Sequence, residues 1–217
     1  MPTVWFIRHA ESEANAGLRT TCPEKVVLTE KGKRQAEDIA RIFKRSPDLI
    51  ITSPYIRTEQ TAFPTMQRFP QCPHEKWDVQ EFTYLSPCKY QNTTLLDRRP
   101  TVNAYWERLE PLSNDGEGAE SFFHFMCRVQ ETVQRLYRLH DEFVAVFGHE
   151  QFLRAVLWFL LLGDAAPDYR CRETMERFHR FFTSFTMPNG SLIKVQLQVD
   201  EAPWISQLMT SHLSLRA

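Results

Sequence analysis

Three short runs of strand-forming residues set the limits on what this chain can fold into. Thr3-Val4-Trp5-Phe6-Ile7, Asp48-Leu49-Ile50-Ile51-Thr52 and Phe143-Val144-Ala145-Val146-Phe147 are rich in apolar β-branched and aromatic side chains, and helix-compatible sequence follows each of them. Continuous apolar runs of this length read as buried strands. Each run also stops at chemically active residues: Arg8-His9 after the first, Ser53 with Arg57 after the second, Gly148-His149 after the third. In an open α/β sheet, ligands bind outside the carboxyl ends of the strands.

The intervening segments carry helical spacing. Ala36, Ile39, Ala40 and Phe43 recur at i, i+3, i+4 and i+7 and predict a helix over 35–44, with Thr29 as N-cap. Ser53-Pro54 reads as a second helix start, Ser at N-cap and Pro at N1, which puts Arg57 on its first turn. Phe122, Met126, Val129, Val133 and Leu136 mark an amphipathic helix whose stripe is core packing and not a cofactor box. Residues 152–162 are apolar nearly all round but interrupted by Arg154, and so predict a buried core helix too short to span a bilayer. From Pro70 to Gly118 the periodicity fades among Pro70, Pro73, Pro87, Pro100 and Pro111. A loop-rich insertion of that length in a compact domain points to function. Near the C-terminus, residues 181–187 and 192–199 flank Pro188-Asn189-Gly190, a hairpin signal, so the sheet is expected to end in antiparallel strands. Trp204 is a candidate anchor for the tail.

With 217 residues and 42% hydrophobic content the chain can bury a sizeable core, and a single domain over 1–217 with an insertion at about 70–118 is expected. A formal net charge of -1 supplies no whole-molecule field for nucleic acid or an anionic membrane. Any phosphate site must therefore be local. The five cysteines are odd in number and show no C-x-x-C spacing, which argues against a disulfide framework or a zinc site and for free thiols in a reducing cytoplasm. A signal peptide is not expected, because Arg8-His9 follows the first apolar run at once.

If the three strands lie side by side, two imidazoles, two guanidiniums and a helix N-terminus surround one pocket. Phosphate suits that set, since Arg donates bidentately to its oxygens and helix N–H groups complete the cradle. A lone strand-end histidine is more often a satisfied polar residue than a catalyst, and Arg57 alone would be a surface arginine. Three junctions of the same design shift that balance.

The order Arg8-His9-Ala10-Glu11-Ser12-Glu13-Ala14-Asn15, Leu28-Thr29-Glu30-Lys31-Gly32, Ser53-Pro54-Tyr55-Ile56-Arg57-Thr58-Glu59-Gln60-Thr61-Ala62 and Gly148-His149 resembles the histidine phosphatase (phosphoglycerate mutase-like) superfamily. Gly118-Ala119-Glu120-Ser121 and Pro188-Asn189-Gly190 extend the resemblance over most of the chain. The expected fold is α/β, a three-layer α/β/α sandwich around a mostly parallel sheet with an antiparallel C-terminal strand or hairpin and a loop-rich insertion over the site. The resemblance implies that His9 is the nucleophile forming a phosphohistidine, that Arg8 and Arg57 bind phosphate, that His149 is the second pocket histidine and that Asn15 closes the first motif. Glu81 resembles the insertion's acid residue. The reaction implied is metal-independent hydrolysis of a small phosphomonoester, of the histidine acid-type phosphatase kind, with no cofactor. The alternatives are phosphoglycerate mutase-type transfer and a catalytically silent phospho-ligand or protein-binding module.

Two positions depart from the family pattern, which has glycine after each pocket histidine: Ala10 and Glu150. Ala10 matters only if its backbone needs a positive φ. At Glu150 two outcomes stand open: a carboxylate beside the phosphate that weakens binding, or an outward side chain that leaves its N–H available. Cys171 and Arg177 satisfy a C-x5-R spacing, but the charged, glycine-free intervening residues do not suit a phosphate loop. Gly116-Glu117-Gly118 reads as a loop and not a dinucleotide fingerprint. Lys89, Arg98 and Arg99 are expected on a solvated face or paired with Asp97 and Glu107, rather than binding a further anion.

Overall fold

In a buried sheet the pleat sends alternate side chains to opposite faces, and both faces here are apolar. On β1 (Thr3–Arg8) Val4 and Phe6 join one core, while Ile7 joins the other with Trp5 packed against it. On β2 (Leu49–Thr52) and β4 (Phe143–Gly148), Leu49, Ile51, Val144 and Val146 face the first core; Ile50, Phe143, Ala145 and Phe147 face the second. Two buried faces require helices on both sides, and the chain supplies them. The computed structural model describes residues 2–20, 22–163, 167–198 and 201–213.

The six-stranded sheet among those residues has the order β3-β2-β4-β1-β5-β6, with β3 at His74–Lys76, β5 at Leu192–Gln196 and β6 at Trp204–Ile205. The pairings β3/β2, β2/β4 and β4/β1 are parallel, while β1/β5 and β5/β6 are antiparallel. Residues of α1 (Glu30–Ile42) and α2 (Ile56–Arg68) contribute to the second core. The first core draws on α4 (Phe122–Tyr137), α5 (Glu150–Leu162) and α6 (Arg172–Ser184). This is the expected mostly parallel α/β arrangement in three layers. Because β4 sits between β1 and β2, the carboxyl ends of the three predicted strands are immediate neighbours. No described helix is long and apolar enough to cross a membrane.

Several local expectations hold in detail. Thr29 caps α1, accepting Gly32 N–H at 3.0 Å. Phe122, Met126, Val129, Val133 and Leu136 are all buried along α4.

Others are corrected. The helix after β2 starts at Ile56 and not at Ser53-Pro54, because Ser53 Oγ closes a tighter turn by accepting Tyr55 N–H at 3.2 Å. The segment 181–187 forms no strand: α6 runs through Ser184, and Phe178, Phe181, Phe182 and Phe185 pack at helical spacing. No hairpin therefore forms at Asn189-Gly190, and β5 pairs with β1 instead. Val199, the last residue of the expected alternation, lies outside the described residues. Trp204 is 56% exposed, so its side chain is not a buried anchor, although it pairs with Gln196 in the β5/β6 ladder.

The segment 70–118 is more ordered than its prolines suggest. It adds the edge strand β3, a 3-10 turn at Pro87–Tyr90, and the helix α3 (Leu95–Arg108). Thr94 and Asp97 form a reciprocal capping box for α3, and its Tyr105 and Trp106 are buried. Pro100 is tolerated inside α3 on an exposed face.

Candidate active site

β1, β2 and β4 deliver His9, Ser53 and His149 to one edge of the sheet. His9 and His149 are buried, with ring centroids 5.1 Å apart. Arg57, on the first turn of α2, joins them: its Nε donates to His9 Nε2 at 3.2 Å, its Nη2 to His149 Nδ1 at 2.9 Å and its Nη1 to Pro23 O at 2.6 Å.

Guanidinium only donates, so these bonds fix both imidazole tautomers. His9 carries its proton on Nδ1, which donates to Ala10 O at 2.8 Å, leaving the Nε2 lone pair toward Arg57. His149 carries its proton on Nε2, which donates to Ser53 Oγ at 2.7 Å. Ser53 Oγ then donates to Thr58 Oγ1 at 2.9 Å, and Thr58 Oγ1 to Tyr55 O at 2.8 Å. Burial, reinforced by Arg57, holds both histidines well below the ordinary histidine pKa, so both rings are neutral. Burial also lowers the Arg57 pKa, to about 10 against the pull of Glu81, which leaves it cationic at neutral pH.

The loop after His9 is braced from three sides. Ala10 N–H donates to Thr61 Oγ1 at 3.0 Å. Thr29 N–H donates to Glu11 O at 3.0 Å, and Gly32 approaches that carbonyl so closely that an added Cβ would lie 2.0 Å from it, which explains the glycine. Asn189 Nδ2 donates to His9 O at 3.1 Å and to Asn15 Oδ1 at 3.0 Å. Asn15 Oδ1 also accepts from Ser12 N and Oγ, so its Nδ2 is left without a partner among the described residues, on the cavity wall. The Pro188-Asn189-Gly190 turn thus serves as a brace for the His9 loop. Ala10 is not among the residues with positive φ, and it is fully buried against Leu28 and Ala36, so alanine fits there without backbone strain.

Glu81 is brought in by the segment before α4. Its Oε1 accepts three N–H groups, from Gln151 at 3.0 Å, Phe152 at 3.2 Å and Phe82 at 3.2 Å, and thereby caps α5. Arg128 on α4 clasps the same loop, donating to Asp78 O at 2.8 Å and Gln80 O at 2.9 Å, while Glu120 accepts Thr83 N–H at 3.2 Å. Burial pushes the Glu81 carboxyl up against the lowering pull of Arg57, with Glu150 adding to the rise.

Glu150 does not point outward. Its Oε2 meets Arg8 Nη2 at 2.9 Å, and its Oε1 accepts from Arg154 Nη2 and from Met187 N–H. Arg8 Nη1 donates to Met187 O, and Arg8 Nε is buried without a partner among the described residues. Arg8 therefore lines the cavity with its terminal nitrogens already engaged.

The cavity is about 170 Å³ and is lined by all the sequence-predicted site residues except His149, which lies behind Arg57. Arg128 and Asn189 were missed by sequence reasoning. Asn189 stands in a motif read only as a turn, whereas nothing local distinguishes Arg128 from other helix arginines. Cys171, at the N-cap of α6, and Arg177, in its middle, are both exposed and do not line the cavity of His9 and Arg57. Among the described residues no three His, Cys, Asp or Glu side chains gather as a metal site.

The sequence matches the family profile "Histidine phosphatase superfamily (branch 1)" over residues 4–202. Similar solved structures include a phosphoserine phosphatase in complex with 3-phosphoglyceric acid from Entamoeba histolytica, at 18% identity and TM-score 0.71, covering 99% of this chain and 100% of that one. A mycobacterial glucosyl-3-phosphoglycerate phosphatase in complex with VO3 is similar at 21% identity and TM-score 0.68, covering 95% and 97%. The alpha-ribazole phosphatase of Shigella flexneri is similar at 21% identity and TM-score 0.67, covering 91% of each chain. No curated protein sequence matched significantly.

Proposed function

The chain belongs to the histidine phosphatase superfamily, branch 1, and from that premise we propose that it is a metal-independent phosphatase of the histidine acid type. It hydrolyses a small phosphomonoester through a phosphohistidine on His9, with Glu81 as general acid and then general base.

The observation that carries this reading is the His9 tautomer. Its Nδ1 proton is held by Ala10 O, so the unprotonated Nε2 faces the cavity beside a guanidinium. An entering phosphate takes over the Arg57 donors. Nε2 then bonds to phosphorus as the ester P–O bond breaks, and Glu81 gives its proton to the departing alkoxide. In the second step the Glu81 carboxylate takes a proton from water, whose oxygen displaces Nε2 and releases inorganic phosphate. Phosphoryl transfer depends mainly on alignment and charge neutralisation, which Arg57, Arg8 and the Asn15 amide would supply. The phosphatase names of the structural neighbours support hydrolysis over mutase transfer. Free thiols at all five cysteines support a cytoplasmic setting.

One contact favours a second reading, a silent phospho-ligand-binding module: the Glu150 carboxylate already offsets the charge of Arg8. Turnover of p-nitrophenyl phosphate in EDTA decides between the two. Phosphatase action predicts slow hydrolysis undiminished by EDTA, an acid-labile phosphate trapped on His9 by quench, and a fall of roughly four orders of magnitude in His9→Ala. Activity that persists in His9→Ala sinks the nucleophile. Binding of phosphate without turnover across a panel of phosphomonoesters establishes the module.

A further inference from the structure

The cations expected on a solvated face meet different fates. Arg99 is exposed, but Lys89 pairs with Asp115 at 2.7 Å, and Arg98 is 6% exposed on the wall of the reaction cavity. A separate group gathers elsewhere: Lys44, Arg45 and Lys194 line a second cleft of about 460 Å³, together with Trp5, Phe143 and Met209.

This cleft lies at the other end of the sheet. Phe143 opens β4 and Trp5 stands in β1, the two strands whose carboxyl ends deliver His149 and His9. A strand of six residues, such as β1, spans about 20 Å, and the two cavities share no lining residue among those described.

Local structure explains how the cations and rings meet. Lys194 opposes Trp5 in the antiparallel β1/β5 pair, and opposed residues share a face, so its ammonium lies 4.3 Å from the indole centroid. After α1 ends, Phe43 turns into the second core beside Trp5, with ring centroids 4.8 Å apart, and Lys44 and Arg45 follow it along the rim. Arg45 Cζ lies 5.4 Å from the centroid of Phe143, whose ring meets Trp5 edge to face at 5.0 Å.

The charge is uncompensated. Among the described residues no carboxylate lines the cleft, and Lys44 and Lys194 make no ion pair. Arg45 has Glu142 at 3.8 Å, but that carboxylate is 81% exposed, which makes a weak pair. Since the whole chain carries a formal net charge of -1, this cationic rim is a local departure and not part of a basic surface. Ligand sites are typically clefts of roughly 300–1,000 Å³ with aromatic and apolar walls and a few convergent polar groups. An ammonium over a ring is held weakly at an accessible site and turns to an anion without breaking an ion pair. The three cations exceed what one carboxylate matches and suit a phosphate dianion. The rings suit a planar base, which stacks on an aromatic side chain whatever its identity.

We propose that this cleft binds a nucleoside monophosphate, with the base against Trp5 and Phe143 and the phosphate among Lys44, Arg45 and Lys194. The absence of a wider basic surface favours a free nucleotide over a nucleic-acid strand. The site stands whether or not His9 is a nucleophile.

The test titrates the intact protein calorimetrically with AMP, adenosine and ribose-5-phosphate, with orthovanadate present throughout to fill the reaction cavity. AMP should bind roughly tenfold or more tighter than either fragment, because it alone carries both the base and the dianion. A Lys44→Gln/Lys194→Gln double variant should weaken AMP binding by roughly tenfold or more. Its turnover of p-nitrophenyl phosphate and its affinity for orthovanadate should equal those of the wild type. Quenching of tryptophan fluorescence by AMP should vanish in Trp5→Phe, which keeps an aromatic ring in the core. AMP that binds no more tightly than ribose-5-phosphate overturns the proposal, and so does AMP binding that the double variant leaves unchanged. Tetraadenylate that outcompetes AMP in proportion to its phosphates overturns it in favour of a nucleic-acid surface.

Discussion

The floor of the cavity and its outer wall are held by different means. On the floor, His9, Ser53 and His149 stand at the ends of three adjacent parallel strands, whose registers place them together before any side-chain contact is made. Arg57 then ties the two rings with two hydrogen bonds. On the wall, Glu81, Tyr84, Tyr90 and Arg98 come from the stretch between β3 and α4. That stretch is fastened by individual clasps: Arg128 to Asp78 O and Gln80 O, Glu120 to Thr83 N–H, Lys89 to Asp115. A backbone ladder spreads strain over many bonds, whereas a clasp concentrates it in one. The floor therefore suits chemistry common to all substrates, and the wall suits adaptation to one.

This contrast can be broken by experiment. The largest effect is expected on the floor, at Arg57→Lys. An ammonium on a shorter reach cannot serve His9, His149 and Pro23 O together, so kcat/KM should fall by roughly two to three orders of magnitude. The fall should be the same for p-nitrophenyl phosphate and for alkyl phosphates; a loss that depends on the leaving group would refute the separation of floor from wall.

Glu81→Gln should show that dependence. Alkyl phosphates should slow by roughly a hundredfold or more and nitrophenyl phosphate far less, because nitrophenolate leaves without a proton. The pH dependence follows from the signs of the shifts. His9 is held well below the ordinary 6.5, so it stays unprotonated through the neutral range and the acid limb lies below that value. Glu81 is raised above the ordinary 4.5 and must be protonated to act as acid, so the rate with alkyl phosphates should fall as pH rises through its shifted value. That alkaline fall should vanish in Glu81→Gln; a profile identical to wild type would remove Glu81 from the acid role.

The smallest effect is expected at Glu150→Gly. Removing the carboxylate that engages Arg8 should lower KM and the inhibition constant for inorganic phosphate by roughly three- to tenfold, with kcat little changed. Weaker phosphate binding would mean that Glu150 aligns Arg8 more than it offsets its charge.

Much of this organisation was legible in the chain. Apolar runs that end at Arg8-His9, Thr52-Ser53 and Gly148-His149 mark both the strands and the sheet edge, because a buried strand and its terminus are properties of adjacent residues. Thr29 and the buried stripe on α4 were legible for the same reason. The helix α3 was hidden because its five-residue neighbourhood holds Pro100, while its capping box, Thr94 with Asp97, is a weak signal among polar residues. The expectation of a strand over 181–187 fails because a short aromatic-rich stretch satisfies helix and strand patterns alike.

By itself, then, the amino-acid sequence determined the α/β class, the strand ends and the residues gathered there, since backbone preference and apolar periodicity act over a few neighbours. Tertiary structure alone decided that Glu150 turns onto Arg8, that Asn189 braces the His9 loop and that Arg98 lies buried on the cavity wall with no ion pair among the described residues. Those outcomes depend on desolvation and charge pairing, which are summed over groups distant in the chain and brought together only when the layers pack.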